Sequence, residues 1–289
     1  MYLIKVTRFG NTAFEWGKRT YVMGIINMSA DSFSGDGISA VDAAIEQAHR
    51  FITEGADILD VGGESTRPGS AGVTAEEEIR RVIPVIERLS RESAVPVSID
   101  TSKLEVAERA LAAGAAILND QWGLKTEPGL ANLAAKKGVP IILMSNQRDR
   151  GGFDTGTGRD TAYYNDVIDE VLSSLRRSVQ TALEAGVSQE NIIIDPGIGF
   201  GKTWQQDIEI VRRLKEMQVL GRPILIGPSR KSLIKMVLNL PANDRVEGTA
   251  AVVAVSIANG ADIVRVHDVK QMVRVCRMTD AIVRGNSNH

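Results

Sequence analysis

A closed parallel (β/α)8 barrel is the fold this chain predicts. Three observations carry it: eight short apolar runs, helical periodicity in the gaps between them, and a length that suits eight such units. The runs are Tyr21–Ser29, Ala56–Gly63, Val95–Thr101, Ala116–Asp120, Pro140–Asn146, Asn191–Gly197, Pro223–Ser229 and Ala261–Asp268. They read as continuous apolar stretches, as strands covered on both faces do. Parallel neighbours need crossover connections, so strands alternating with helices imply a barrel with helices outside. Such a barrel takes about 250 residues, and the chain has 289. A doubly wound open sheet is the rival. No linker rich in Pro, Gly or Ser divides the sequence, so residues 1–289 are expected as one domain.

Each element has its own signal. Within residues 1–20, Leu3–Thr7 and Thr12–Glu15 flank Gly10 and Asn11 and predict a short β-hairpin that closes the barrel bottom. Val41, Ala44, Ile45, Ala48 and Ile52 recur at helical spacing, as do Ile79, Val82, Ile83, Ile86 and Leu89. Thr74 with Glu77 predicts a capping box for the second of these helices, and Pro84 a kink within it. Leu104–Ala113, Leu130–Lys137, Asp166–Glu184, Gln206–Met217, Thr249–Ala258 and Lys270–Val283 continue the pattern. Gly151–Arg159 reads as a loose glycine-rich loop.

Composition excludes several classes of partner. The formal charge is −2 with both signs dispersed, which argues against a nucleic-acid or membrane surface. The opening residues are too short and too charged for a signal peptide or a membrane span, so the cytoplasm is the expected location. A single cysteine, Cys276, precludes an internal disulfide and a thiolate metal cluster. Zinc is also disfavoured by the scarcity of histidine, whereas magnesium held by few oxygen ligands and substrate phosphates fits the composition. Of the three histidines, His49 reads as a surface helix residue and His267 as a strand-end residue.

Chemistry gathers where the runs end. In a barrel, catalytic residues come from the ends of different strands. Asp60, Asp100, Asn119 and Asp195 would then meet in one cavity, rich in acceptors and suited to a planar ligand edge with several N–H donors. Taken alone, Asp100 is equally a candidate N-cap for the next helix. Ser229-Arg230-Lys231-Ser232 opens a helix after the seventh run, a favourable place for an anion. Arg265 and His267, two apart, face one side of the eighth strand. Gly197–Thr203 imitates a phosphate-cradling loop, but Pro196 stands where that motif needs glycine. Its glycines are expected to turn the chain sharply beside the ligand.

In order, the phrases at the strand ends resemble those of the dihydropteroate synthase family. They are MGIINMSADSFSGDG from Met23, ADILDVGGESTRPG from Ala56, VSIDTSK from Val97, Leu118–Asp120, DPGIGFGKT from Asp195, GPSRKS from Gly227 and RVHD from Arg265. The resemblance spans nearly the whole chain and implies the same barrel. It also implies condensation of 6-hydroxymethyl-7,8-dihydropterin pyrophosphate with 4-aminobenzoate to 7,8-dihydropteroate and pyrophosphate, with departure of pyrophosphate before attack of the amine. It further implies a homodimer and a target site for sulfonamides, which mimic 4-aminobenzoate.

Carried over by motif, the pterin falls to Asp100, Asn119, Asp195, Lys231 and Arg265, and the pyrophosphate to Asn27, Arg67, Arg265 and His267. Magnesium falls to Asn27. The aminobenzoate falls to Phe33, Thr66, Arg67, Pro68, Ser229 and Ser232. Asn27, Asp100, Lys231, Arg265 and His267 form the implied catalytic set. Two places depart from the family pattern. Met28, Ser29 and Ala30 replace its Val-Thr-Pro, which removes a proline that would constrain the first loop, and Ser145 replaces a histidine. Two rival functions share the pterin site: methyl transfer from methyltetrahydrofolate to a corrinoid, and pterin binding without catalysis. The intact Ser65–Gly69 and Ser229–Ser232 phrases weigh against the first, and Asn27, Arg67, Lys231, Arg265 and His267 against the second.

Overall fold

The computed structural model describes residues 4–28, 37–65, 72–148 and 166–285. A hairpin of β1 (Val6–Phe9) and β2 (Thr12–Glu15) comes first. Its turn is Gly10-Asn11, and Gly10 takes the positive φ (58°) that a two-residue hairpin turn needs at its first position. The first strand lies later than Leu3–Thr7, because this turn fixes the register at Phe9 opposite Thr12.

Eight parallel strands follow: β3 (Tyr21–Asn27), β4 (Ile58–Gly62), β5 (Val97–Asp100), β6 (Ile117–Asp120), β7 (Ile141–Met144), β8 (Ile192–Asp195), β9 (Leu225–Ile226) and β10 (Ile263–Val266). Their order in the sheet is β8-β7-β6-β5-β4-β3-β10-β9, and a parallel bridge between Ile194 and Ile224 joins the two ends. The result is a near-closed barrel, as the alternating pattern predicts. All eight apolar runs contain one of its strands. The seventh is only two residues long, because Pro223 and Pro228 lack the N–H a longer ladder would need.

The helices are α1 (Gly37–Glu54), α2 (Ala75–Glu92), α3 (Leu104–Ala112), α4 (Gly129–Lys137), α5 (Val167–Glu184), α6 (Trp204–Arg212), α7 (Ser232–Leu238), α8 (Val246–Ala258) and α9 (Val269–Arg284). At α2 the capping box is half formed. Thr74 Oγ1 accepts from Glu77 N, but the Glu77 carboxylate turns to Arg80 and Arg81. The full reciprocal box is at α6, between Thr203 and Gln206. The helix expected over Gln206–Met217 breaks after Arg212 into a 3-10 segment, Leu214–Leu220. His49 is exposed and pairs with Glu92, and α2 runs on as one helix past Pro84. No helix among the described residues is long and apolar enough to cross a membrane.

Strand alternation divides the core in two. Val22 and Ile26 of β3, Leu59 and Val61 of β4, Ile192 and Ile194 of β8 and their equivalents face the helices and form one large apolar layer. The residues between them point into the barrel. Low in the barrel these are Met23, Ile58, Ile117, Ile142, Ile193, Leu225 and Ile263, which join Phe9, Phe14 and Trp16 of the N-terminal segment and Tyr21 in a second cluster. Phe14 stacks on Tyr21 with ring centroids 4.0 Å apart, and Trp16 donates to Thr7 Oγ1 at 2.9 Å. The hairpin thus packs against the N-terminal ends of the barrel strands. Higher up, the inward positions of β4, β5, β6, β8 and β10 become polar.

Phe14 is 2% exposed and carries much of this plug. Phe14→Ala is expected to lower unfolding free energy by about 3–5 kcal/mol. Denaturant titration checks this, and a loss below about 1 kcal/mol would show that the hairpin packs only loosely on the barrel.

Candidate active site

Two residues beyond the apolar floor, on four of the strands, stand the groups with chemistry. Ile58 is followed by Asp60, Ile117 by Asn119, Ile193 by Asp195 and Ile263 by Arg265, so the period of two that builds the floor also aims these side chains inward. Ser98 precedes Asp100 on β5 in the same way. Asn27 closes β3 and is partly exposed, with no side-chain partner among the described residues.

Arg265 is the centre of this layer. Its Nε donates to Asp60 Oδ2 at 2.6 Å and its Nη2 to Asp100 Oδ2 at 2.7 Å. One guanidinium therefore reaches from β10 across β3 to β4 and β5. Its Nη1 has no partner among the described residues. Asn119 Nδ2 adds a donor to Asp60 at 3.1 Å. Burial is the largest influence on Asp100 and pushes its carboxyl up to about 7, against the pull of Arg265. Asp100 does not cap α3, whose N-cap is Lys103 without a side-chain bond. Asp60 belongs to this cluster as firmly as Asp100, although the family carry-over names only Asp100.

Asp195 accepts from Gly197 N at 2.7 Å, and burial pushes it up to about 6. Beyond it the chain turns three times through Gly197, Gly199 and Gly201, at φ of 74°, 76° and 73°. A Cβ on Gly197 would lie 2.3 Å from Ser145 O, so only glycine fits. Lys202 holds this loop down by donating to the carbonyls of Ser145 (2.8 Å), Gly197 (3.0 Å) and Phe200 (3.3 Å). The lysine of the phosphate-loop look-alike is thus a buried structural clamp. Arg148 donates to Gly199 O at 2.8 Å.

The loop presents Phe200 to two cations. Lys231 Nζ lies 4.0 Å from the ring centroid and the Arg148 guanidinium 4.5 Å from it. Burial and the charges of Arg265 and Arg148 pull Lys231 down to about 8, and Asp195 opposes them. Phe200, Arg148 and Lys202 are absent from the sequence-derived set, and the glycine spacing around them is the only signal that pointed to the loop.

His267 is set by Ser229. Ser229 Oγ accepts from the His267 backbone N–H at 3.2 Å and lies 3.0 Å from Nδ1. The hydroxyl thus holds both the backbone and the ring of His267, and Nε2 is the ring nitrogen without a partner among the described residues. Burial, then the charges of Arg230 and Arg265, pull His267 down to about 3, so the ring is neutral near pH 7. Ser229, expected beside the aminobenzoate, is 3% exposed and committed to His267. Arg230 pairs with Asp268 through two bonds, of 2.6 and 3.0 Å, and is likewise spent on structure. Ser232 is exposed at the first residue of α7. Phe33, Thr66, Arg67 and Pro68, together with Ser29, Ala30 and the Gly151–Arg159 stretch, lie outside the described residues.

Comparison with known proteins agrees with this geometry. The family model described as pterin binding enzyme matches residues 23–267. The dihydropteroate synthase of Bacillus subtilis is 46% identical over 279 residues, 96% of this chain and 94% of that protein. That of Escherichia coli is 40% identical over 270 residues, 93% of each. Among solved structures, Xanthomonas albilineans dihydropteroate synthase with 4-aminobenzoic acid superimposes with a TM-score of 0.87, at 38% identity and over 96% of this chain and 98% of the other. The same enzyme in complex with 7,8-dihydropteroate gives a TM-score of 0.84 at 36% identity, with the same coverage. With a polar layer of three carboxylates, an asparagine and three basic groups at the mouth of the barrel, the chain belongs to the dihydropteroate synthase family of pterin-binding enzymes.

Proposed function

We propose that this chain joins 6-hydroxymethyl-7,8-dihydropterin pyrophosphate to 4-aminobenzoate, with the residues above in specific roles. The observation that carries the reading is the set of acceptors Asp60, Asp100, Asn119 and Asp195 at the upper ends of β4, β5, β6 and β8, with Arg265, His267 and Lys231 beside it. Asp100, Asn119 and Asp195 hold the donor-rich edge of the pterin, and Lys231 lies over Phe200 at the side of that pocket. As pyrophosphate departs, positive charge grows on the pterin methylene, and the buried carboxylates stabilise it. Arg265 Nη1 and the Nε2–H of neutral His267 donate to the departing oxygens. The aniline nitrogen is neutral near pH 7 and attacks without a strong base, so positioning and electrostatics supply the rate.

Magnesium fits this arrangement. No group of three or more His, Cys, Asp or Glu among the described residues forms a metal cage. An ion held by Asn27 and the substrate's own phosphates matches magnesium's habit of taking few protein ligands. Bound there, it would neutralise charge on the leaving pyrophosphate. Ser232, Phe33, Thr66, Arg67 and Pro68 are assigned to the aminobenzoate by motif, and sulfonamides are expected to compete there. The lone cysteine, buried and with its thiol pushed up by burial, suits the cytoplasm.

We place a homodimer contact on the outer face of α7, α8 and α9. Met236, Val237, Val255, Met278 and Ile282 are exposed there, Ile282 at 71%, on helices that pack side by side. Sedimentation is expected to give a dimer that Ile282→Glu converts to monomer. A wild-type monomer at micromolar concentration removes the assignment.

Pyrophosphate release from the pterin substrate, with and without 4-aminobenzoate and magnesium, tests the reaction. Release with dihydropteroate formed is the expected result, and binding without release would make this a pterin-binding module. The dependence of kcat/KM on pH should be bell-shaped, falling below about 7 as Asp100 and then Asp195 gain protons, and above about 8 as Lys231 loses its own. A profile flat from about pH 6 to 9 contradicts these roles.

Arg265→Met leaves buried carboxylates without their counter-charge, at a cost of about 3–5 kcal/mol at pH 8. Asp100, already raised by burial, rises further in the variant. A group raised on folding favours the native state at low pH and loses that contribution as pH climbs, so the deficit should shrink at pH 5. Equal deficits at both pH values would refute the bridging role.

A further inference from the structure

Asp207 lies in the first turn of α6 and is fully buried, and neither the strand-end motifs nor the family resemblance gives it a role. A carboxylate in a first turn complements the helix dipole, a task that needs no burial. Here both of its oxygens turn back to the loop after β8 and accept from the Gly199 N–H, Oδ1 at 3.0 Å and Oδ2 at 3.1 Å. The peptide group after Gly199 is held separately. Its carbonyl accepts from Arg148 Nη2 at 2.8 Å, and its N–H, that of Phe200, donates to Gly197 O at 3.1 Å. Gly199 is therefore pinned from both sides, and loss of Asp207 would release one of them and strand a buried N–H.

Lys231 rests against this glycine. A Cβ built on Gly199 would stand 3.0 Å from Lys231 Cδ and 3.6 Å from Nζ, so the lysine stem passes along the bare backbone to reach the Phe200 ring, 4.0 Å from Nζ. We propose that Asp207 is a positioning residue for Lys231, fixing Gly199 as the surface that aims the ammonium across Phe200. The inference rests on the pterin-binding role given to Lys231 above and deepens it. Charge supports the same assignment. Lys231 is faced by Asp195 at the end of β8, Asp207 on α6, Arg148 after β7 and Arg265 on β10. The two carboxylates oppose the burial and the two guanidiniums that pull it down to about 8. Asp207 also opposes the burial that pulls Lys202, the clamp of the same loop, down to about 8. One carboxylate thus holds the loop backbone and favours the charged form of both neighbouring lysines.

The test follows pyrophosphate release across pH in the wild type, Asp207→Ala, Lys231→Met and the double variant, with magnesium and both substrates present. Absence of turnover in the wild type removes the reaction reading and this inference with it. Given turnover, Asp207→Ala should lower kcat/KM for the pterin substrate about ten-fold or more, as misplacement of a binding group does. It should also move the alkaline limb to lower pH, because a negative charge near Lys231 is gone. In the Lys231→Met background the same substitution should change kcat/KM by less than about two-fold, since no ammonium is left to aim. A loss carried over in full to that background, or an alkaline limb that stays in place, overturns the assignment and leaves the reaction reading intact. If Asp207→Ala fails to fold, Asp207→Asn serves, because its amide oxygen still accepts from Gly199. Its kcat/KM at the optimum should then stay within about three-fold while the alkaline limb moves down, and an unmoved limb overturns the assignment.

Discussion

Arg265 ties the upper barrel together. Its two bonds, to Asp60 and Asp100, bring three strands that are not all neighbours to one point inside the barrel. Carboxylates placed this deep are costly unless a counter-charge meets them. The guanidinium meets two at once because its donors diverge in a fixed plane, which a lysine cannot reproduce. Arg265 thus makes an acidic pocket tolerable in the free protein, with Nη1 left without a partner among the described residues. Asn119 and Gln121 complete the arrangement from β6 and just beyond it, each donating to one of the two carboxylates.

The same alternation that places these groups supplies the support beneath them. Below the polar layer, most inward positions carry an aliphatic side chain or methionine, with Ser98 and Tyr21 the exceptions, and the aromatic hairpin seals the far end. A dry floor lowers the local dielectric, which raises Asp100 and Asp195 and lowers Lys231 toward neutral pH. Perturbed acids and bases are therefore a consequence of the barrel's packing as much as of the residues themselves. The outer helices bury the opposite faces of the same strands, so the strands cannot slip in register without turning the site outward.

The loop after β8 shows how a rigid support is made from residues that look like binding groups. Three glycines with positive φ let it double back, Lys202 clamps two of its carbonyls together with that of Ser145 from the loop after β7, and Arg148 takes a third. The product is a fixed position for Phe200 and, over it, Lys231. Ser229 works in a similar way on His267, where it holds both the backbone N–H and Nδ1 and so fixes the orientation of the ring.

Much of this was legible in the sequence because it depends on local periodicity. Apolar runs and helical gaps gave all eight barrel strands, and the alternation along each strand already put Asp60, Asp100, Asn119, Asp195 and Arg265 on one face. The ordered motifs identified the family, as the relatives at 40–46% identity confirm. What spacing along the chain does not encode is which partner each polar group takes. Asp100 read equally as a helix cap or a ligand group until tertiary structure brought Arg265 to it from 165 residues away. Ser229 and Arg230 sit in a phrase that read as an anion site, yet the fold gives the first an imidazole and the second a carboxylate that claims it first. Gln121 carried no motif at all; only closure of the barrel brought its amide to Asp100. The sequence determines which side chains point inward, because that follows from a two-residue repeat, whereas their pairing, protonation and availability depend on distances between strands that only the closed barrel defines.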